Sequence, residues 1–175
     1  MKKVMLIKVT IIVFVLAVLV FATNSFCNRY PKYILLKKGI STSEIVLSLD
    51  REPYFKIYLY KTGDNDKENL GLVTLFKASS DSKKWSVRSN STETYDGNEA
   101  LLSTYYSKVN TGSTDVITVV GGCTPSKPGK NITIFVNGVS YNPTRKIENL
   151  NGTDYFLHDC ETFVDNQEQI KVGKN

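Results

Sequence analysis

The sequence predicts a mainly-β fold behind an N-terminal transmembrane helix: one or two small antiparallel sandwich-like units of the immunoglobulin-like class. Three observations predict it. Val9 to Ala22 runs without a charge behind Lys2, Lys3 and Lys8. Beyond residue 30, apolar residues recur in short runs rich in Val, Ile, Tyr and Phe. Clusters of Gly, Asn, Asp and Pro separate those runs at the spacing of sandwich or barrel strands.

A spanning helix needs about 20 mainly apolar residues. Val9–Ala22 falls short, and counting from Val4 reaches that length if the Lys8 stem snorkels its ammonium to the headgroups. This order, a basic tip and then an apolar run, places the tip in the cytoplasm and the rest outside. Residues 4–22 are thus expected in the lipid bilayer as an uncleaved, single-pass anchor, with an extracytoplasmic C-terminal region. Two alternatives stay open. Val20-Phe21-Ala22 ends in a small residue, and cleavage after Ala22 makes the protein secreted. Cys27 just past the run suggests lipidation, against which stands the bulky Phe26 before it.

After the anchor, Tyr30 and Tyr33 suit headgroup depth, and Tyr33–Leu36 reads as a strand ending at Lys37-Lys38-Gly39. Glu44–Leu49 and Tyr54–Tyr60 are β-branched and aromatic. In the latter, Phe55, Ile57 and Leu59 share one face and Tyr54, Lys56, Tyr58 and Tyr60 the other. Thr62–Asn69 is a charged turn, and Leu70–Phe76 returns to close a hairpin. Lys84–Arg88 is a short strand carrying Trp85, the sole tryptophan. Over Asp96–Val109, Leu101, Leu102, Tyr105, Tyr106 and Val109 recur at helical spacing with Asn98 as cap, so one short helix is expected near 98–109. Val116–Val120 and Ile132–Val136 are strands. Asn137-Gly138 signals a type I′ hairpin turn, which needs positive φ at both central residues. Tyr155–Leu157 and Thr162–Val164 supply the last strands. Gly121–Lys130 is the most loop-like segment. The expected division is 1–30 for tip and anchor, 31–112 for an N-terminal β unit, and 113–175 for a C-terminal sandwich-like unit.

The net charge of +5 invites a nucleic-acid reading. Four of the basic residues, Lys2, Lys3, Lys8 and Arg29, precede residue 31, and 18 basic face 17 acidic residues beyond it. That near-balance lacks the basic footprint phosphate binding demands, so no nucleic-acid partner is expected.

Few constellations carry chemistry. Cys123 and Cys160 are the disulfide candidates in an oxidising compartment. A bridge would close a loop worth about 3–4 kcal/mol in the chain-entropy model. The alternative is two small apolar core residues. His158, the only histidine, stands two residues from Cys160. Strand geometry puts both on one face, the arrangement a Cys–His nucleophile pair needs, but no oxyanion motif accompanies it. Asp64-Asn65-Asp66-Lys67-Glu68 imitates half a calcium loop without its glycine or closing glutamate. Sequons at Asn90, Asn131 and Asn151 matter only in a host that glycosylates secreted proteins. Tyr54, Tyr58 and Tyr60 pack against a second sheet or, alternatively, offer amphipathic contact area for binding. No catalytic residue, cofactor or metal is expected.

Trp85-Ser86-Val87, Val119-Val120-Gly121-Gly122, Ile132–Gly138 and Asp154-Tyr155-Phe156 make the span 85–172 resemble a recurrent type of membrane-anchored β protein of Gram-positive bacteria of the Bacillus and Clostridium sort. The resemblance implies a surface or envelope protein, and no activity or catalytic residue comes with it. Cys123 after Gly121-Gly122 departs from that type. The functional expectation is a non-enzymatic binding or sensing module at the cell envelope, its partner an envelope protein or ligand. A Cys160–His158 enzyme and an accessory subunit of a membrane complex are the alternatives.

Overall fold

The computed structural model describes residues 2–51, 55–63, 68–79, 81–95, 99–107, 116–162, 164 and 167–175, the side chains of 2–8, 107 and 167 excepted. Two helices open the chain, α1 (Lys2–Cys27) and α2 (Pro31–Lys37). Four strands follow: β1 (Ile45–Arg51), β2 (Phe55–Thr62), β3 (Glu68–Phe76) and β4 (Ser86–Tyr95). They pair in sequence order as one antiparallel meander. Next come β5 (Ala100–Ser107), β6 (Val116–Pro125), β7 (Ile132–Val136) and β8 (Val139–Tyr141). The described chain ends with β9 (Arg145–Leu150), β10 (Thr153–Cys160) and β11 (Ile170–Lys174). A second sheet has the order β5-β6-β10-β9, and a third β11-β7-β8.

The second sheet lies between two cores. On one face Leu102, Tyr106, Ile117, Val119, Tyr155 and Leu157 pack against Leu49, Phe55, Ile57, Leu59, Leu70 and Leu72 of the first sheet. On the other, Val120, Phe156 and Cys160 pack against Ile132, Ile134, Val136 and Ile170 of the third. A strand buried on both faces needs no polar alternation, and β6 is buried from Ile117 to Thr124. A third core covers the outer face of the first sheet, where Ile34, Leu35 and Ile40 meet Tyr60, Val73, Leu75 and Trp85. The body is therefore three sheets deep with a short helix on top.

This layering explains where periodicity misleads. The helix expected near 98–109 is strand β5 over its described residues; Asn98 and Val109 lie outside them. Its neighbouring Leu101 and Leu102 imitate a helical stripe because each faces a different core. Gly121 and Gly122 stand inside β6, not in a loop. A Cβ on Gly122 would come within 2.5 Å of the Ala100 carbonyl oxygen and of Phe156 Cζ. One on Gly121 would crowd Leu59, Leu72 and Leu157 at 3.0–3.1 Å. Gly121 lets the first sheet close on the middle one, and Gly122 makes room for the Phe156 ring within the middle sheet.

The boundary expected between residues 112 and 113 falls between β5 and β6, which pair residue for residue from Ala100↔Cys123 to Ser107↔Val116. Tyr33–Leu36, read as a strand, belongs to α2. Pro31 starts that helix with its φ already set, and four apolar residues are too few to fix a period. Asn137 and Gly138 have φ of 51° and 80°, as the turn joining β7 to β8 requires. Asn151 and Gly152, at 53° and 81°, make a second such turn from β9 to β10. The last strand is Ile170–Lys174, paired with β7, and Thr162–Val164 forms no strand among its described residues.

Candidate functional site

Two places gather the residues with functional potential, the exit of α1 and the C-terminal end of β10. From Val9 to Cys27, α1 is 19 residues with a mean hydropathy of 2.4, and none of this stretch is buried. Its end is tied to the body. The Trp85 amide donates to the Asn28 carbonyl at 2.9 Å. Lys37, closing α2, donates to the side chains of Asn24 and Asn28. Leu35 is fully buried against the first sheet, so α2 is clamped from below as well. The Trp85 indole is 6% exposed, and the ammonium groups of Lys77 and Lys56 lie 4.7 and 5.7 Å from its centroid. Such cation–ring approaches are favourable where water is partly excluded.

The tyrosine face of β2 belongs to this region and is not open. Tyr60 is buried under α2 and donates to Asn90 Oδ1 at 2.8 Å, and Tyr58 packs beside it. Burial pushes the Tyr58 phenol up to about 12. Gly71, opposite Tyr60 in the register, leaves room for its ring: a Cβ there would sit 2.1 Å from Tyr60 Cζ. Tyr54 lies outside the described residues.

At the other place, β10 alternates its side chains between cores. Asp159 turns toward β1, where Arg51 Nη2 donates to Oδ1 at 2.7 Å and Nε lies 2.7 Å from Oδ2 as an ion pair. The hydrogen bond to Asp159 raises the Arg51 guanidinium above its ordinary value. Thr144 Oγ1 donates to Asp159 Oδ1 at 3.0 Å and lies 3.1 Å from His158 Nδ1. His158 is buried, with Tyr141 5.0 Å away centroid to centroid, and its Nε2 has no hydrogen-bond partner among the described residues. Burial lowers the imidazole, which favours the neutral ring.

Cys160 lines an open cleft of about 450 Å³ with Asp50, Arg51, Tyr106, Ile117, Asp159 and Glu161. Burial pushes its thiol up, and the neighbouring Asp159 carboxylate adds to the rise. A nucleophilic cysteine needs the opposite, a lowered pKa beside positive charge.

The pairing expected for Cys123 and Cys160 is not made; Cys27, Cys123 and Cys160 are free thiols. Register gives the reason. Cys123 stands opposite Tyr155 and Cys160 opposite Thr118, five residues apart along paired strands, or roughly 16 Å. They also belong to different cores, Cys123 to the first and Cys160 to the second. A disulfide needs Cα atoms within about 7 Å. Burial lifts the Cys123 thiol to about 11. Asp64–Lys67 of the half calcium loop lies outside the described residues, while Glu68 accepts from Lys61 at 2.7 Å and from Tyr95. Those two bonds hold the Glu68 carboxyl below its usual range.

One buried pair gave no sequence signal. Lys174 Nζ donates to Asp154 Oδ2 at 2.8 Å and to the Pro125 carbonyl, and the Asn149 amide donates to Asp154 Oδ1 at 2.7 Å. Only 8% and 4% of the two side chains is exposed. The pair latches the end of β11 to β10 from positions 20 residues apart. Among the described residues, no three His, Cys, Asp or Glu side chains converge to hold a metal ion. No family model, curated protein or solved structure matches this chain.

Proposed function

We propose that α1 holds this protein in a membrane with its β body on the extracytoplasmic side, and that the body binds an envelope protein or ligand without catalysing a reaction. The observation that carries the reading is the apolar surface of Val9–Cys27, exposed from Val9 to Asn24 and nowhere buried. A soluble protein rarely leaves so large an apolar surface in water, and a bilayer core is about as thick as this stretch is long. Lys2, Lys3 and Lys8 before it support a cytoplasmic tip. The non-catalytic part draws on the sealed imidazole of His158 and on a Cys160 thiol pushed up by burial among carboxylates.

Alkaline extraction of membranes from cells expressing the full chain tests the anchor. The chain is expected in the pellet, and intact mass should begin at residue 1 or 2. Release into the supernatant, or a mass starting at Thr23, overturns anchoring. Protease added to intact spheroplasts should remove a C-terminal epitope; its protection overturns the orientation. Rapid alkylation of Cys160 in the native protein at neutral pH overturns the non-catalytic reading.

A further inference from the structure

The near-neutral charge of the region beyond the anchor conceals a strong asymmetry. Residues 28–38 and 77–86 carry seven basic side chains, Arg29, Lys32, Lys37, Lys38, Lys77, Lys83 and Lys84, against a single acid, Asp81. The rest of the chain after residue 38 carries 12 basic and 16 acidic residues. The fold brings the two basic segments together. The Trp85–Asn28 bond joins them at the end of α1, and Trp85 shares a core with Ile34 and Leu35 of α2. Around that junction Arg29, Lys32, Lys38, Lys83 and Lys84 are exposed. So are Tyr30 and Leu36, at 53% and 58%. Cations mixed with exposed aromatic and aliphatic side chains are the composition of a surface lying at headgroup depth.

Topology does not account for these charges. Basic residues close to a span favour the cytoplasmic side, so four of them within eleven residues of Cys27 on the outer side oppose export. We infer that this basic face is seated on the anionic headgroups of the leaflet from which α1 emerges, and that the seat fixes the body against the membrane. The inference rests on the anchor reading above. Each lysine near an anionic surface contributes about 1 kcal/mol, decaying within a Debye length. The face therefore discriminates by lipid charge and loosens in salt.

The full chain in nanodiscs of phosphatidylcholine alone, or with 30% phosphatidylglycerol, provides the test. Lysines are acetylated with a neutral reagent and read by peptide mass spectrometry. Lys32, Lys38, Lys83 and Lys84 should label several-fold more slowly in the anionic discs, and 0.5 M salt should abolish the difference. Lys127, Lys130 and Lys171 are the internal controls and should label alike in both. With Lys32, Lys83 and Lys84 reversed to Glu, Lys38 should lose its lipid-dependent protection while thermal unfolding stays unchanged. Equal labelling of Lys32, Lys38, Lys83 and Lys84 in the two discs, with the chain co-eluting with them, overturns the seat and leaves the anchor standing. A chain that does not co-elute with either disc overturns both.

Discussion

At the residue scale, the buried Asp154–Lys174 pair and the sealed His158 make stability depend on pH in the same direction. Burial pushes the Asp154 carboxyl up, and the bonds from Lys174, Asn149 and Ser126 outweigh it, so the folded value lies below the ordinary one. A depressed carboxyl stabilises above its unfolded pKa, about 3.9, and that contribution disappears as pH falls through the folded value. Asp154→Asn leaves the Lys174 ammonium buried without its counter-charge. It should cost about 3–5 kcal/mol at pH 7 in urea melts, with the deficit shrinking toward pH 3. His158 also titrates below its unfolded value of about 6.5. The unfolded chain thus binds the proton first, and stability should fall between pH 7 and 5. His158→Gln should flatten that slope in thermal melts over the same range. The cysteines give a third expectation. Intact mass should be the same with and without reductant, and Cys123 and Cys160 should label only after unfolding. A 2 Da increase on reduction would contradict the register of β6 and β10. None of these partnerships was legible in the sequence, because each joins residues whose proximity depends on sheet register.

At the element scale, β2 was readable, whereas β5 and the glycine-bearing half of β6 were not. β2 alternates because one side meets the second sheet and the other meets α2. Its hairpin with β3 follows from that alternation. β5 and β6 answer to both cores, so paired leucines resemble a helix and paired glycines a loop. Those glycines have a measurable role. Gly122→Ala forces a methyl against the Ala100 carbonyl and Phe156, and should destabilise by about 1–3 kcal/mol as overpacking does. The denaturant midpoint should fall without a change in slope. α2 was misread because helical order there comes from tertiary contact, which a seven-residue segment needs. Leu35→Ala removes its fully buried anchor and should cost about 2–5 kcal/mol. Hydrogen exchange should rise first at Tyr60, Val73 and Leu75, the residues α2 covers. Asn151-Gly152 was the one missed element signal within reach, since the same dipeptide at 137–138 correctly marked a turn.

At the scale of the whole molecule, the mainly-β class followed from short apolar runs, whereas the stacking of three sheets did not. A sandwich needs two inner faces, and a stack of three sheets needs four, the added two being the second face of the middle sheet and the face of Ile132–Val136 and Ile170–Val172. Short strands carry no label saying which face they cover. The connection between α1 and α2 has a mechanical consequence. Only residues 28–30 separate the two helices, and Asn28 is itself bonded to Trp85. An extended chain spans about 3.3–3.6 Å per residue, so the slack is roughly 10 Å at most. The body thus behaves as a crank on a shaft, turning when α1 turns, and not as a kite on a string. Six Gly/Ser residues inserted after Tyr30 should leave the melting temperature nearly unchanged but raise the rotational freedom of the body, read by time-resolved anisotropy in nanodiscs. On the anchor reading proposed above, a partner docks no farther from the membrane than the body's own length, and a rotation of α1 becomes a change in the azimuth at which the β surface is presented.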